Sequence, residues 1–111
     1  MKKIEAIINP HKLSEVREAL TEVAVTAMTV TEVRGIGGTD RRARLFRGGE
    51  YELEFIPKLH VETVVADGKA NAALEAITRA GTGKPDGGRI FVSTIEQAFR
   101  IRTEETGEGA I

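Results

Sequence analysis

The hydrophobic period of this chain switches twice from two residues to helical spacing, and that double switch limits the folds open to it. Ile4, Ala6 and Ile8 alternate with Lys3, Glu5 and Asn9, the pattern of a half-buried strand, and Pro10 stops it. Leu13, Val16, Leu20 and Val23 then recur at helical spacing, with Glu15, Arg17, Glu18 and Glu22 on the other face and Ser14 near the cap. The same succession returns downstream. Leu59, Val61, Thr63 and Val65 alternate with Lys58, His60, Glu62 and Val64, and Asp67-Gly68 breaks that strand. Ala70, Ala73, Leu74, Ile77 and Ala80 then suit a second helix, ended by Gly81-Thr82-Gly83.

Each half needs a returning strand. Val25 to Val33, with Thr26, Thr29, Val30 and Thr31, is rich in β-branched residues and predicts one; Ile90 to Val92 predicts the other. The order β-α-β-β-α-β predicts one α+β domain over residues 1–111, ferredoxin-like, with both helices on one sheet face. The other face keeps apolar positions at Ile7, Met28 and Val64, which an isolated subunit would expose, so an oligomer is expected. Between the halves, Arg41, Arg42, Arg44 and Arg47 are followed by Glu50, Glu52 and Glu54. Such a segment buries little. A long exposed loop is expected over residues 37–55, with Tyr51 to Phe55 extending as a ribbon, and residues 103–111 are expected to form a loose polar tail.

Bulk properties remove several function classes. With a formal charge of −1 over 111 residues, electrostatics give no reason to expect nucleic-acid binding. No cysteine is present, so disulfides and thiolate chemistry are absent. No apolar run spans a bilayer, and Met1-Lys2-Lys3 leads directly into a strand rather than a signal peptide, so the cytoplasm is the expected compartment. His11 and His60 lie far apart without a supporting ligand cluster, so surface or satisfied histidines are expected and no metal site. No acid, base or nucleophile constellation stands out, and an enzyme is not expected.

The segment Thr82-Gly83-Lys84-Pro85-Asp86-Gly87-Gly88-Arg89-Ile90-Phe91-Val92 runs from a glycine-rich turn into a β-branched strand. Glycines let backbone N–H groups approach an anion, and guanidinium groups grip phosphate oxygens through paired donors. Arg100 and Arg102 stand at alternate positions, so an extended backbone would aim both at one anionic group. The spacing is not that of a Walker loop. Glycine turns before strands are also common for purely structural reasons.

Met1-Lys2-Lys3-Ile4-Glu5-Ala6-Ile7-Ile8-Asn9-Pro10, Thr29-Val30-Thr31-Glu32-Val33-Arg34-Gly35 and Glu96-Gln97-Ala98-Phe99-Arg100-Ile101-Arg102-Thr103 resemble the PII signal-transduction proteins, in the same order and across essentially the whole chain. The resemblance implies a homotrimer with its sheets facing the threefold axis and adenine nucleotide in the clefts between subunits. It places Ile7, Thr29, Glu62 and Val64 around the adenine, counts Gly35, Gly37 and Gly38 among the nucleotide-binding residues, and puts Gly87, Gly88, Arg89, Arg100 and Arg102 at the phosphates. Arg89 stands where lysine is usual, keeping the charge but changing its geometry. The exposed segment becomes the family's T-loop, which engages membrane transporters or regulatory enzymes, and Tyr51 matches a position uridylylated in many relatives. Lys58 matches the lysine that pairs with the distal carboxylate of 2-oxoglutarate, and reads equally as an exposed strand lysine.

Three positions depart from the family pattern. Asp86 replaces a glycine beside the phosphates, Gly38 replaces an arginine that meets the terminal phosphate, and Thr39 replaces a glutamine that helps hold magnesium and 2-oxoglutarate. All three fall at the terminal phosphate and its metal, so the resemblance implies ADP or AMP favoured over Mg-ATP. Some branches that lost this machinery serve inorganic-carbon uptake or carboxysomes. The expectation is accordingly an adenylate sensor in inorganic-carbon metabolism, with bicarbonate as co-ligand at Gly37, Gly38 and Lys58. The alternative is an ordinary nitrogen regulator sensing ATP, ADP and 2-oxoglutarate, with Tyr51 modified. From other classes come an amino-acid-binding ferredoxin-like module, which would lack the arginine pair, and a metal-tolerance trimer. The latter would carry Cys, His or Met in residues 37–55, and none is there.

Overall fold

The computed structural model describes residues 1–36, 44–45, 51–52, 55–81 and 88–111. Along the chain the elements are β1 (Lys2–Ile8), α1 (Leu13–Glu22), β2 (Thr29–Gly35), two short strands β3 (Arg44–Leu45) and β4 (Tyr51–Glu52), β5 (Ile56–Val65), α2 (Ala70–Gly81) and β6 (Arg89–Thr94). The main sheet is antiparallel in the order β2-β5-β1-β6, the ferredoxin-like arrangement that the double switch of period predicts. In the loop, β3 pairs with β4, so Tyr51 begins a ribbon opposite Leu45.

The register explains the core. Ile4 faces Thr63, Ala6 faces Val61 and Ile8 faces Leu59 across β1 and β5, and all six are buried. Against this face pack Val16 and Leu20 of α1, and Ala73, Ala76 and Ile77 of α2. Three alanines on the inner side of α2, including Ala70, let that helix lie close to the sheet. Thr63 is the polar exception; its hydroxyl donates to the Ala27 carbonyl at 2.7 Å, which satisfies it.

Several boundaries depart from expectation. A 3₁₀ turn over Pro10–Lys12 precedes α1, which starts at Leu13 without any side-chain cap from Ser14. The second strand begins at Thr29, not Val25. Residues 23–25 instead close α1: the Val25 N–H donates to the Leu20 carbonyl and the Ala24 N–H to the Thr21 carbonyl, both at 2.9 Å, while Ala24 takes a φ of 62°. This is a Schellman ending in which buried Val25 joins the core cluster that holds Leu20. Met28 packs against the helix-covered core rather than on the bare face, where Ile7 and Val64 are joined by Phe91, paired with Glu5, and Val33, paired with Lys58. The chain's end is not loose: Phe99 bridges Thr106, the Gly107 N–H donates to the Ala98 carbonyl at 3.0 Å, and a 3₁₀ turn spans Gly107–Ala110.

Candidate functional site

Opposite the helices, alternate residues of four strands form the bare face. Cross-strand partners share a face, so Ile7 stands beside Arg89, Thr29 beside Glu62, Glu5 beside Glu62, and Lys3 beside Val64. Four of the positions assigned to the nucleoside side (Ile7, Thr29, Glu62 and Val64) therefore lie on one surface with Arg89. Glu5 and Glu62 are like charges directly opposite one another. Lys3 relieves them, its Nζ 3.5 Å from Glu5 Oε1 and 3.3 Å from Glu62 Oε1. The hydrogen bond to Glu62 and then the charge of Glu5 raise the Lys3 pKa. His60 approaches the same Glu5 oxygen through Nε2 at 3.2 Å, so it is a satisfied histidine; His11 is exposed.

Gly88 introduces β6 and explains why Arg89 reaches this surface. Its φ is +102°, and a Cβ there would lie 1.8 Å from the Ile7 carbonyl oxygen and 2.9 Å from the carbonyl carbon. Only glycine lets the two backbones pass this closely. The glycine thus has a structural task inside the chain, whatever its neighbours do with an anion. Arg89 follows it, exposed and in register with Ile7.

Arg100 and Arg102 do not occupy alternate positions of an extended strand. The Arg100 N–H donates to the Glu105 carbonyl, and its own carbonyl accepts from the Glu104 N–H, both at 2.8 Å, closing a four-residue loop over Ile101–Glu104. Glu104 takes the left-handed conformation that this loop requires, at φ 61°, and the Thr103 hydroxyl donates to Glu105 Oε1 at 2.8 Å. Both arginines are exposed, Arg100 at the base of this loop and Arg102 within it.

At the other end of β1, Lys58 is not an exposed strand lysine. It is 8% exposed, and its Nζ donates to Asn9 Oδ1 at 2.6 Å. One further step in the β1–β5 register beyond Ile8 and Leu59 puts Asn9 directly opposite Lys58. Gly35 lies alongside, where an added Cβ would make ordinary contact with Lys58 Cγ at 3.5 Å. Sequence reasoning placed Asn9 among outward-facing residues and gave it no role; a polar residue ahead of Pro10, paired in register with a lysine, was the available signal. Gly37, Gly38 and Gly87 lie outside the described residues, as do Thr39 and Asp86.

Comparison with known proteins identifies the class. The model of the family "Nitrogen regulatory protein P-II" matches residues 1–105. The chain is 54% identical to the nitrogen regulatory protein P-II of Rhizobium meliloti, 53% to that of Bradyrhizobium diazoefficiens and 52% to that of Cereibacter sphaeroides, each over all of both chains. The chain belongs to the P-II family of signal-transduction proteins. Members of this family are trimeric regulators, not catalysts, and bind adenine nucleotides and 2-oxoglutarate as ligands. Among the described residues no helix is long and apolar enough to cross a membrane.

Proposed function

We propose that this chain is a trimeric regulator of nitrogen metabolism that binds adenine nucleotide between subunits and signals through residues 37–55. The observation that carries this reading is the match to nitrogen regulators over all of the chain at about half identity or better. Those names favour nitrogen status over the inorganic-carbon role expected from the altered loop base. The geometry adds a surface suited to the task. Ile7, Thr29, Glu62, Val64 and Arg89 share the bare face, whereas Arg100 and Arg102 stand on a separate hairpin. A cleft made of both sets, one from each of two neighbouring subunits, accounts for an oligomeric site.

Within that reading the phosphate end favours ADP or AMP over Mg-ATP. Gly38 removes a charge-assisted contact worth about 1.5–3 kcal/mol, and Asp86 adds negative charge beside the phosphates. Lys58 is the cation for an effector carboxylate at the loop base. Thr39 is too short to place an oxygen where a glutamine amide would, and magnesium demands near-ideal octahedral geometry, so 2-oxoglutarate does not bind with the usual Mg-ATP-dependent synergy. Tyr51 is the residue for covalent modification, and a transporter or regulatory enzyme is the partner for the loop.

Calorimetric titration tests these statements together. ADP and AMP are expected to bind at least as tightly as Mg-ATP, three per trimer, and Arg102→Ala should weaken every adenylate carrying a diphosphate. Mg-ATP tenfold tighter than ADP would overturn the preference. Repeating each titration with 2-oxoglutarate and then bicarbonate separates the two metabolic roles. An effect of bicarbonate without one of 2-oxoglutarate would return the reading to inorganic carbon. Tight 2-oxoglutarate binding that requires Mg-ATP would make this an ordinary nitrogen sensor.

A further inference from the structure

We propose that Lys3 is the positioning residue for Glu62 in nucleoside binding, holding one carboxylate oxygen so that the other meets the ligand. Register and distance carry this. Lys3 pairs with Val64, Glu62 pairs with Thr29, and Glu5 pairs with Glu62, so Lys3 lies diagonal to Glu62 across β1 and β5 on the bare face. Its Nζ stands 3.3 Å from Glu62 Oε1 and 3.5 Å from Glu5 Oε1. The Glu5 end of this bridge is held twice, because His60 Nε2 meets the same Glu5 oxygen at 3.2 Å. Lys3, Glu5 and Glu62 are all half-buried, which keeps the bridge out of bulk water and still open to a ligand.

The chemistry follows from what Glu62 would do alone. A glutamate on a strand can turn its carboxylate in several directions, and fixing it only when the ligand arrives costs affinity. Glu62 carries an added burden: Glu5 stands directly opposite, and like charges push the two carboxylates apart. Lys3 answers both. Its ammonium draws Glu62 to one place, screens it from Glu5 and engages Oε1. Oε2 is then left to accept an O–H or N–H of a nucleoside seated beside Thr29 and Val64, as a charge-assisted acceptor. Without the cation the carboxylate keeps its charge but not its place.

The proposal rests on the reading of Glu62 as a nucleotide-binding residue, and a double-mutant cycle separates the two. Wild type, Lys3→Met, Glu62→Gln and Lys3→Met/Glu62→Gln trimers are titrated with ADP and melted thermally. Each single variant should bind ADP about fivefold or more weakly, the difference between a charge-assisted and a neutral hydrogen bond. The double variant should bind no more weakly than Glu62→Gln, because Lys3 acts through the carboxylate. Lys3→Arg keeps a cation able to reach both carboxylates and should bind like wild type. The double variant should also melt higher than Lys3→Met, since the opposed charges are gone, yet bind ADP no better. A lysine that merely supported the fold would let affinity recover with melting temperature, and that outcome overturns the proposal. So does an equal loss on removing Lys3 in both backgrounds, which would mean that Lys3 attracts the phosphates directly. Lys3→Gln, taken through the same cycle, keeps it readable should Lys3→Met not assemble. If Glu62→Gln weakens ADP while Lys3→Met binds like wild type, the proposal fails and the Glu62 reading stands. If Glu62→Gln binds like wild type, the Glu62 reading fails and the proposal with it.

Discussion

The two faces of the sheet use the same strands for different ends. On the helix-covered face, Ile4, Ala6, Ile8, Val61 and Val65 are buried in one cluster with Val16, Leu20, Ala73 and Ile77, and Thr63 brings a buried polar atom. On the bare face, Lys3, Glu5, Ile7, His60, Glu62 and Val64 are half-buried, and their polar members hold one another through the ion pairs of Lys3 and the hydrogen bond between His60 and Glu5. Because side chains alternate, the two sets interleave residue by residue along β1 and β5. A single strand can then vary its ligand surface without disturbing its core, and the substitutions that matter on one face should be nearly silent on the other.

The sharpest way to break this division is to damage the covered face alone. Leu20 is wholly buried, and Leu20→Ala should cost about 2–5 kcal/mol through lost transfer energy and a cavity. Urea unfolding measures that loss, and ADP affinity of the folded trimer should be unchanged. A change of affinity equal to the change of stability would show the faces to be coupled.

Gly88→Ala is the case where the faces meet. The new Cβ would overlap the Ile7 carbonyl at 1.8 Å, so β6 must shift away from β1. Overpacking of this kind costs about 1–3 kcal/mol or more, and Arg89 would leave its place beside Ile7. Both melting temperature and nucleotide affinity should fall, in contrast to Leu20→Ala.

A smaller effect of opposite sign is expected at Ala24. It closes α1 in the left-handed region, where glycine is at ease and alanine is not. Ala24→Gly should stabilise by about 0.5–1 kcal/mol after the added flexibility of the unfolded chain is counted, with no change in ligand binding.

Legibility divides along the same line. The covered face was readable because Ile4, Ala6, Ile8, Leu13, Val16 and Leu20 repeat at the period of their element, and burial enforces that period. Val25 misled because a β-branched residue that plugs the core after a helix looks, in sequence, like the first residue of a strand. The C-terminal hairpin was missed because its four-residue loop is held by backbone hydrogen bonds and by Thr103, none of which leaves a hydrophobic pattern. Placement of Ile7, Thr29, Glu62, Val64 and Arg89 came from family resemblance; strand alternation then shows why they share a surface. Lys58 and Asn9 were opaque to pattern because two polar residues become buried together only once β1 and β5 are in register.

The ion pairs of the bare face should show in the pH dependence of stability, with a sign opposite to that of an acidic contact elsewhere. Lys3 has its pKa raised above the ordinary value of 10.5 by Glu62 and Glu5. A group raised in the folded state contributes stability fully present below its unfolded pKa and lost as pH rises through the folded one. Stability should therefore fall on the alkaline side as Lys3 deprotonates. Asp67 behaves in the opposite sense: its hydrogen bond with the Met1 amino group at 2.9 Å lowers its pKa, so its contribution is present above the ordinary aspartate value and lost as pH drops through the lowered one. Thermal melts across pH should show Asp67→Asn flattening the acid limb only. Lys3→Met should flatten the alkaline limb, and also lower the melting temperature at neutral pH, because Glu5 and Glu62 then face each other without a cation. Adding Glu62→Gln to Lys3→Met removes that repulsion and should restore the neutral-pH melting temperature. If the double variant melts no higher than Lys3→Met, the lysine acts by packing its stem, and the bare face is held together by something other than charge.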